Sequence, residues 1–257
     1  MDFTDDDLRN SRFRRVDLTD TEFHNSDFSR VQFRECDFTG VVMRAVDLVD
    51  VSITGDIKNL VVNGVDVAPY VEAELDRRDP DRIKMRPLDP EGFRVAWDII
   101  ERRWGELVER ARGLNPGLLH ESVDGEWSFV ETLRHLVFAT DAWVRRAIQG
   151  DPSPWSPLDL PWDGMADTPG VPRDRLIRPS LDDVLELRRD RMDGVRAVLD
   201  GLTEQDMDRF TDPVEGPGWP PPRSFSVRTC LQVVLNEEWL HRQFAERDLN
   251  LLDAGSP

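Results

Sequence analysis

An apolar residue returns at every fifth position near the start of the chain: Phe3, Leu8, Phe13, Leu18, Phe23, Phe28, Phe33, Phe38, Met43, Leu48 and Ile53. Two residues ahead of each stands a second column: Met1, Asp6, Ser11, Val16, Thr21, Ser26, Val31, Cys36, Val41, Val46 and Val51. After its first two members that column is small or β-branched. A period of five fits neither an amphipathic helix nor a simple strand. It fits a solenoid, whose turns are too thin to make a core alone and must stack. The series decays after Ile53, where Lys58 and Asn63 take the large positions, and 59–67 reads as a short closing segment.

Beyond Asp89 the period becomes helical. Phe93, Trp97, Ile100, Trp104, Leu107 and Ala111 recur at spacings of four and three and predict a first long helix, ended by Gly113 to Gly117. Ser128 with Glu131 forms a capping box that opens a second helix to about Gln149. Ser180 with Asp183 opens a third through Leu202, and a fourth runs from about Val227 to Leu249. A loop holding seven prolines from Pro152 to Pro179 separates the second and third, and loops of that length are often functional or mobile. A second loop, 212–226, precedes the fourth. Four long helices with one apolar stripe each predict a four-helix bundle.

The five-residue pattern resembles the pentapeptide-repeat family, carried most clearly by the stretches VDLTD, SDFSR, CDFTG and VDLVD. The resemblance implies a short right-handed quadrilateral β-helix with the large and small columns stacked inward. The expected organisation is therefore a pentapeptide-repeat β-helix over 1–66, a charged linker over 67–88, and an all-α up-down four-helix bundle over 89–252. Eleven repeats make fewer than three coils, roughly 10–15 Å at ordinary strand spacing.

Composition narrows the function. The net charge of −18 is spread along the chain: residues 1–66 hold 14 acidic and 8 basic residues, and the rest carry −12. Such a chain is not drawn to phosphate backbones or anionic membranes by bulk electrostatics, so neither nucleic acid nor membrane is an expected partner. No apolar run approaches the ~18 residues of a membrane span, and the acidic N-terminus does not read as a signal peptide. Two distant cysteines, Cys36 and Cys230, predict no disulfide, and the expected compartment is the cytoplasm. Arginine greatly outnumbers lysine, which is only Lys58 and Lys84, and this points to a GC-rich genome.

The candidate chemistry lies on the fourth helix. Glu237 and His241 fall inside the stripe of Cys230, Val233, Val234, Leu240 and Phe244, one turn apart. A carboxylate in an apolar stripe is costly unless paired or metal-bound. The spacing therefore leaves two readings, a metal-ligand pair or a hydrogen-bonded ion pair. His135, on a small-residue face of the second helix, is placed to meet another helix. Glu238 faces solvent or a neighbouring helix. Cys230, Trp97 and Trp104 read as core, and His24 and His120 as surface or loop residues without a role.

Residues from about 89 to 250 resemble the DinB/YfiT-type four-helix-bundle superfamily, which includes thiol-dependent transferases. The resemblance rests on Trp127-Ser128, His135-Leu136 and the stretch Glu237-Glu238-Trp239-Leu240-His241-Arg242. It implies the metal ligands His135, Glu237 and His241. Glu237 in place of the commoner His is similar to the mycothiol-dependent maleylpyruvate isomerase branch. That branch carries a further C-terminal domain, whereas this sequence ends at Pro257. The implied activity is a metal-dependent mycothiol S-transferase or a related hydrolase rather than the isomerase. Zinc is the implied metal, with nickel or iron as alternatives, and a small-molecule electrophile or thiol is the substrate. No catalytic base is assigned. The competing expectation is a non-catalytic scaffold whose repeat docks a partner or a second copy of the chain. Gyrase binding by DNA mimicry, known among pentapeptide-repeat proteins, is disfavoured by the short coil and its seven arginines.

Overall fold

The computed structural model describes residues 3–34 and 36–254. Met1, the head of the small column, lies outside them. The chain divides into two compact units, residues 1–55 and 56–257.

In the first unit the five-residue period reappears in the backbone. Asp5, Asn10, Arg15, Asp20, Asn25, Arg30, Gly40, Ala45, Asp50 and Gly55 all have positive φ. Each stands two residues after a large apolar one. This region suits Gly, Asn and Asp, so Arg15, Arg30 and Ala45 adopt it at a cost of about 1 kcal/mol each. Every second repeat closes a hydrogen-bonded turn, with the N–H of Ser11, Thr21, Val31 and Val41 donating to Leu8, Leu18, Phe28 and Phe38 at 3.1 Å. The residue before each of those four large ones is an Asp, and its carboxylate caps the turn. Asp17, Asp27 and Asp37 accept the N–H of Thr19, Ser29 and Thr39 at 2.8–2.9 Å. The rings of Phe23, Phe28, Phe33 and Phe38 follow one another with centroids 5.1–6.5 Å apart.

The expected β-helix is corrected on one point. Among the described residues of this unit no strand forms, and the large column from Phe3 to Ile53 stays 44–61% exposed. Among the described residues the backbone bonds of this unit are local turn bonds, and none joins one coil to the next. A β-helix buries its ladders by stacking coil on coil, and fewer than three coils leave little to stack.

The second unit opens with a two-residue hairpin, β1 (Val61–Val62) and β2 (Val65–Asp66), turned by Asn63-Gly64, both at positive φ. Helices α1 (Ala68–Arg78) and α2 (Asp81–Lys84) follow. The segment 67–88, read from sequence as a linker, thus folds with the helical unit. Arg103 of α3 (Pro90–Arg112) grips Asp79 and Asp81 at 2.6–3.0 Å, and Met85 enters the main core.

The four long helices are α3, α4 (Phe129–Thr140, continued by a π-helical stretch Asp141–Ile148), α5 (Leu181–Asp200) and α7 (Val227–Ala254). A short α6 (Glu204–Met207) lies between the last two. Both capping boxes form as the sequence predicts. One core runs through the bundle, from Phe93, Trp97, Ile100 and Trp104 to Leu133, Leu136, Val195, Leu231 and Trp239.

The direction of the helices departs from the up-down expectation. Arg94 reaches the carbonyls of Leu199 and Leu202, while Arg112 pairs with Asp182, so α3 and α5 are antiparallel. Arg228 donates to the Leu88 carbonyl and Arg110 pairs with Asp253, so α3 and α7 are parallel. Arg191 pairs with Asp141, and Arg134 reaches the carbonyl of Ile177 just ahead of α5, so α4 and α5 are parallel too. The order is up-down-down-up. Parallel neighbours need a long return, and the proline-rich segment between α4 and α5 supplies it.

That loop is clamped. Arg134, fully buried on α4, donates to the carbonyls of Leu158 and Asp174 at 2.8 and 2.6 Å. Arg146 donates to Pro152 and, in the second loop, to Val214 and Gly216 at 2.7–2.9 Å. Leu160, Met165 and Val171 are buried beneath it. Proline removes N–H donors but leaves carbonyls free, and buried guanidiniums supply the missing donors. Among the described residues no helix is long and apolar enough to cross a membrane.

Candidate metal centre

Three donor side chains predicted from sequence come together between α4 and α7. His135, Glu237 and His241 place one ligand atom each within 4.8 Å of the others. Glu237 Oε2 lies 3.4 Å from His135 Nε2 and 3.1 Å from His241 Nε2. The pair on α7 is four residues apart, one helical turn, which aims both side chains the same way. His135 is delivered by the capped first half of α4, where almost every side chain is buried.

The other ring nitrogen of His135 decides the chemistry. Nδ1 donates to the Leu160 carbonyl at 2.9 Å, across the clamped loop. In the neutral ring this fixes the proton on Nδ1 and leaves the Nε2 lone pair aimed at Glu237. A lone pair against a carboxylate repels unless a proton or a cation lies between them. Two ligands about 2.1 Å from a tetrahedral ion stand about 3.4 Å apart, close to the observed Glu237 contacts. A backbone carbonyl behind a ligating imidazole is the usual support for such a ligand. The residues therefore fit a divalent cation held by two imidazoles and one carboxylate. Burial pushes the Glu237 carboxyl up, but with both imidazoles protonated their hydrogen bonds and charge more than reverse this and hold it down at about 2; a bound cation would supply the same positive charge to neutral rings. The slot favours the anion when positive charge faces it.

Aromatic rings wall the centre. Trp127 stacks on His241 with centroids 5.6 Å apart and contacts His135 at 4.4 Å. Phe138 and Phe244 border the two histidines, and Arg175 lies 5.9 Å above Trp127. His135 is buried, while Glu237 and His241 are partly exposed.

The remaining candidates separate from the centre. Glu238 turns to the neighbouring helix and not to solvent: it is 1% exposed and binds Arg188 of α5 through both oxygens at 3.1 and 2.9 Å. Cys230 packs with Ala147 and Phe225 and is no ligand. Trp97 and Trp104 are core, as read from the stripe. His24 is exposed, and His120 lies in a short 3-10 turn, Pro116–His120. Two contributors escaped the sequence reading. Trp127 stood in a recognised motif without a role. The Leu160 carbonyl is main chain and leaves no trace in residue identity.

A family model described as the DinB superfamily matches residues 99–245. A second, described as pentapeptide repeats, matches residues 2–40 in eight copies. No curated protein and no solved structure matches the chain.

Proposed function

The chain belongs to the DinB superfamily and carries a pentapeptide-repeat region ahead of it; from that premise we propose that it is a divalent-metal-dependent enzyme. Its ligands are His135, Glu237 and His241, and its reaction is transfer of a low-molecular-weight thiol, with mycothiol as co-substrate, to a small electrophile. Metal-assisted hydrolysis is the neighbouring activity. The observation that carries this reading is the convergence of three donors: His135, whose Nδ1 is held by the Leu160 carbonyl, and His241 both bring Nε2 within 3.1–3.4 Å of one Glu237 oxygen.

A bound divalent ion lowers the pKa of a coordinated thiol or water into the neutral range. Zinc suits two imidazoles and a carboxylate, and nickel and iron are the alternatives. The protein's own residues do the rest. His135 is held in one tautomer, Trp127 and Phe244 fix the plane of His241, and the aromatic wall limits water at the site. His135, Glu237 and His241 would hold the ion with three donors, and a thiol could then be bound as a further ligand.

The test is thiol conjugation to a panel of electrophiles by protein loaded with zinc, nickel or iron, with mycothiol and with other small thiols. Activity that needs both the metal and a thiol, and that His241→Ala abolishes, is the expected result. A loaded protein inert with every thiol but active in ester or amide hydrolysis moves the assignment to the hydrolase.

The exposed apolar column of the repeat favours a second role, docking, with another copy of the chain as occupant. In that reading the β-helical stacking of the repeat is completed between copies. A strict monomer in sedimentation at every concentration counts against it.

A further inference from the structure

Behind the metal centre lies a second cluster of ionisable groups. Asp141, the first residue of the π-helical stretch, and Asp159, in the loop between α4 and α5, are both 0% exposed. The two carboxyls lie close enough to act on each other's charge. One guanidinium is bidentate on Asp141. Arg191 of α5 donates to Asp141 Oδ1 at 2.8 Å and Oδ2 at 2.9 Å, and its third nitrogen is taken by the exposed Asp190 at 2.6 Å. Arg145 stands 3.6 Å from Asp141 and equally far from Asp151. Arg134 faces Asp159 from α4, but its donors are spent on loop carbonyls.

Asp159 thus has no cation of its own. Its Oδ2 accepts the Ser156 N–H at 3.2 Å, and its Oδ1 is buried without a partner. A buried carboxylate with a bare oxygen beside a second carboxylate is costly, and a single proton removes the conflict. It gives the bare oxygen a proton to donate.

We infer that Asp159 is a carboxylic acid at neutral pH, donating its proton to the Asp141 carboxylate, and that this bond positions the loop whose next carbonyl, Leu160, orients His135. Asp159 is a positioning residue for the metal ligand and rests on the metal reading only in that last step. Burial raises the Asp141 carboxyl too, but the bidentate Arg191 favours its anion, so we assign the shared proton to Asp159. Burial, and then the charge of Asp141, push the Asp159 carboxyl well above the ordinary carboxylate range. The sign follows. A carboxyl raised in the folded state contributes stability that is full below its unfolded value, near 3.8, and is lost as pH rises through the folded value.

The experiment compares wild type with Asp159→Asn and Asp159→Ala. Asn keeps a donor toward Asp141 and an acceptor for Ser156 but cannot ionise. Infrared difference spectra of the metal-free proteins at neutral pH should show a protonated-carboxyl band in wild type that is missing from Asp159→Asn. Absence of that band overturns the protonated state. Across the titration window, the wild-type unfolding constant should rise about tenfold per pH unit relative to Asp159→Asn. A pH-independent ratio overturns it as well. In zinc titrations, Asp159→Asn should bind within a few-fold of wild type, and Asp159→Ala about 10–100-fold more weakly. Equal affinity in all three, with the band present, overturns the positioning role. If no form binds zinc, the metal reading fails, while the band and the pH ratio still decide the shared proton.

Discussion

Glu237 and Glu238 are adjacent on α7 and do opposite work. Glu237 points between two imidazoles at the partly open centre. Glu238, about 100° around the helix, is sealed in the core against Arg188, whose guanidinium also lies 5.0 Å from the Trp104 ring. Removing one partner of such a pair strands the other charge in an apolar setting. Arg188→Met should therefore cost about 3–5 kcal/mol by denaturant unfolding. The double change with Glu238→Leu should recover most of that loss. A single variant as stable as wild type would show that Glu238 is already neutral or reaches water. The two thiols differ in the same way. Burial pushes Cys230 up to about 12, whereas Cys36 is exposed. Native protein should lose one thiol quickly to a thiol reagent near neutral pH and the second only on unfolding. Two fast thiols would contradict the packing of Cys230 beside Phe225.

At the scale of elements, α4 carries most of the construction. Its capping box sets the first turn, Trp127 just ahead of the cap covers both histidines, and Arg134 and Arg146 clamp the loops from its buried faces. Ser128→Ala should cost about 1 kcal/mol by removing the cap acceptor. It should also weaken metal binding by loosening Trp127. Calorimetry of the metal-free and zinc-loaded protein separates the two effects, and an unchanged zinc increment would confine Ser128 to stability. The helices and their starts were legible because periodicity and capping boxes are local signals. An acid in an apolar stripe singled out Glu237 and His241 but left a metal pair and an ion pair both open, and the set with His135 came from the family resemblance. The π-helical continuation was not, because a shift from four- to five-residue bonding leaves the apolar stripe nearly unchanged. The parallel pairing of α4 with α5 was not legible either. Loop length allowed it, but no residue pattern records helix direction. The clamping of the proline-rich loop depends on main-chain carbonyls, which residue identity does not encode.

At the scale of the whole molecule, two units with different physics share one chain. The helical unit holds a continuous core and a centre built from distant segments. The repeat unit is regular in its backbone but leaves its apolar column in contact with solvent. Its period was visible at once in Phe3 to Ile53. Burial was not, since it depends on how many coils stack rather than on the repeat itself. The charge of −18 finds its place in this division. Some acids are spent on turn caps and on ion pairs with arginine, as at Asp17, Asp27 and Asp81.

The central claim is that His135, Glu237 and His241 hold one divalent ion. Its most direct test is anomalous scattering from crystals of untagged protein, recorded on both sides of the absorption edge of the metal found by elemental analysis. The account predicts one peak per chain, about 2.0–2.2 Å from His135 Nε2, a Glu237 carboxylate oxygen and His241 Nε2. A featureless map there, in crystals grown with excess zinc, nickel or iron, would contradict it.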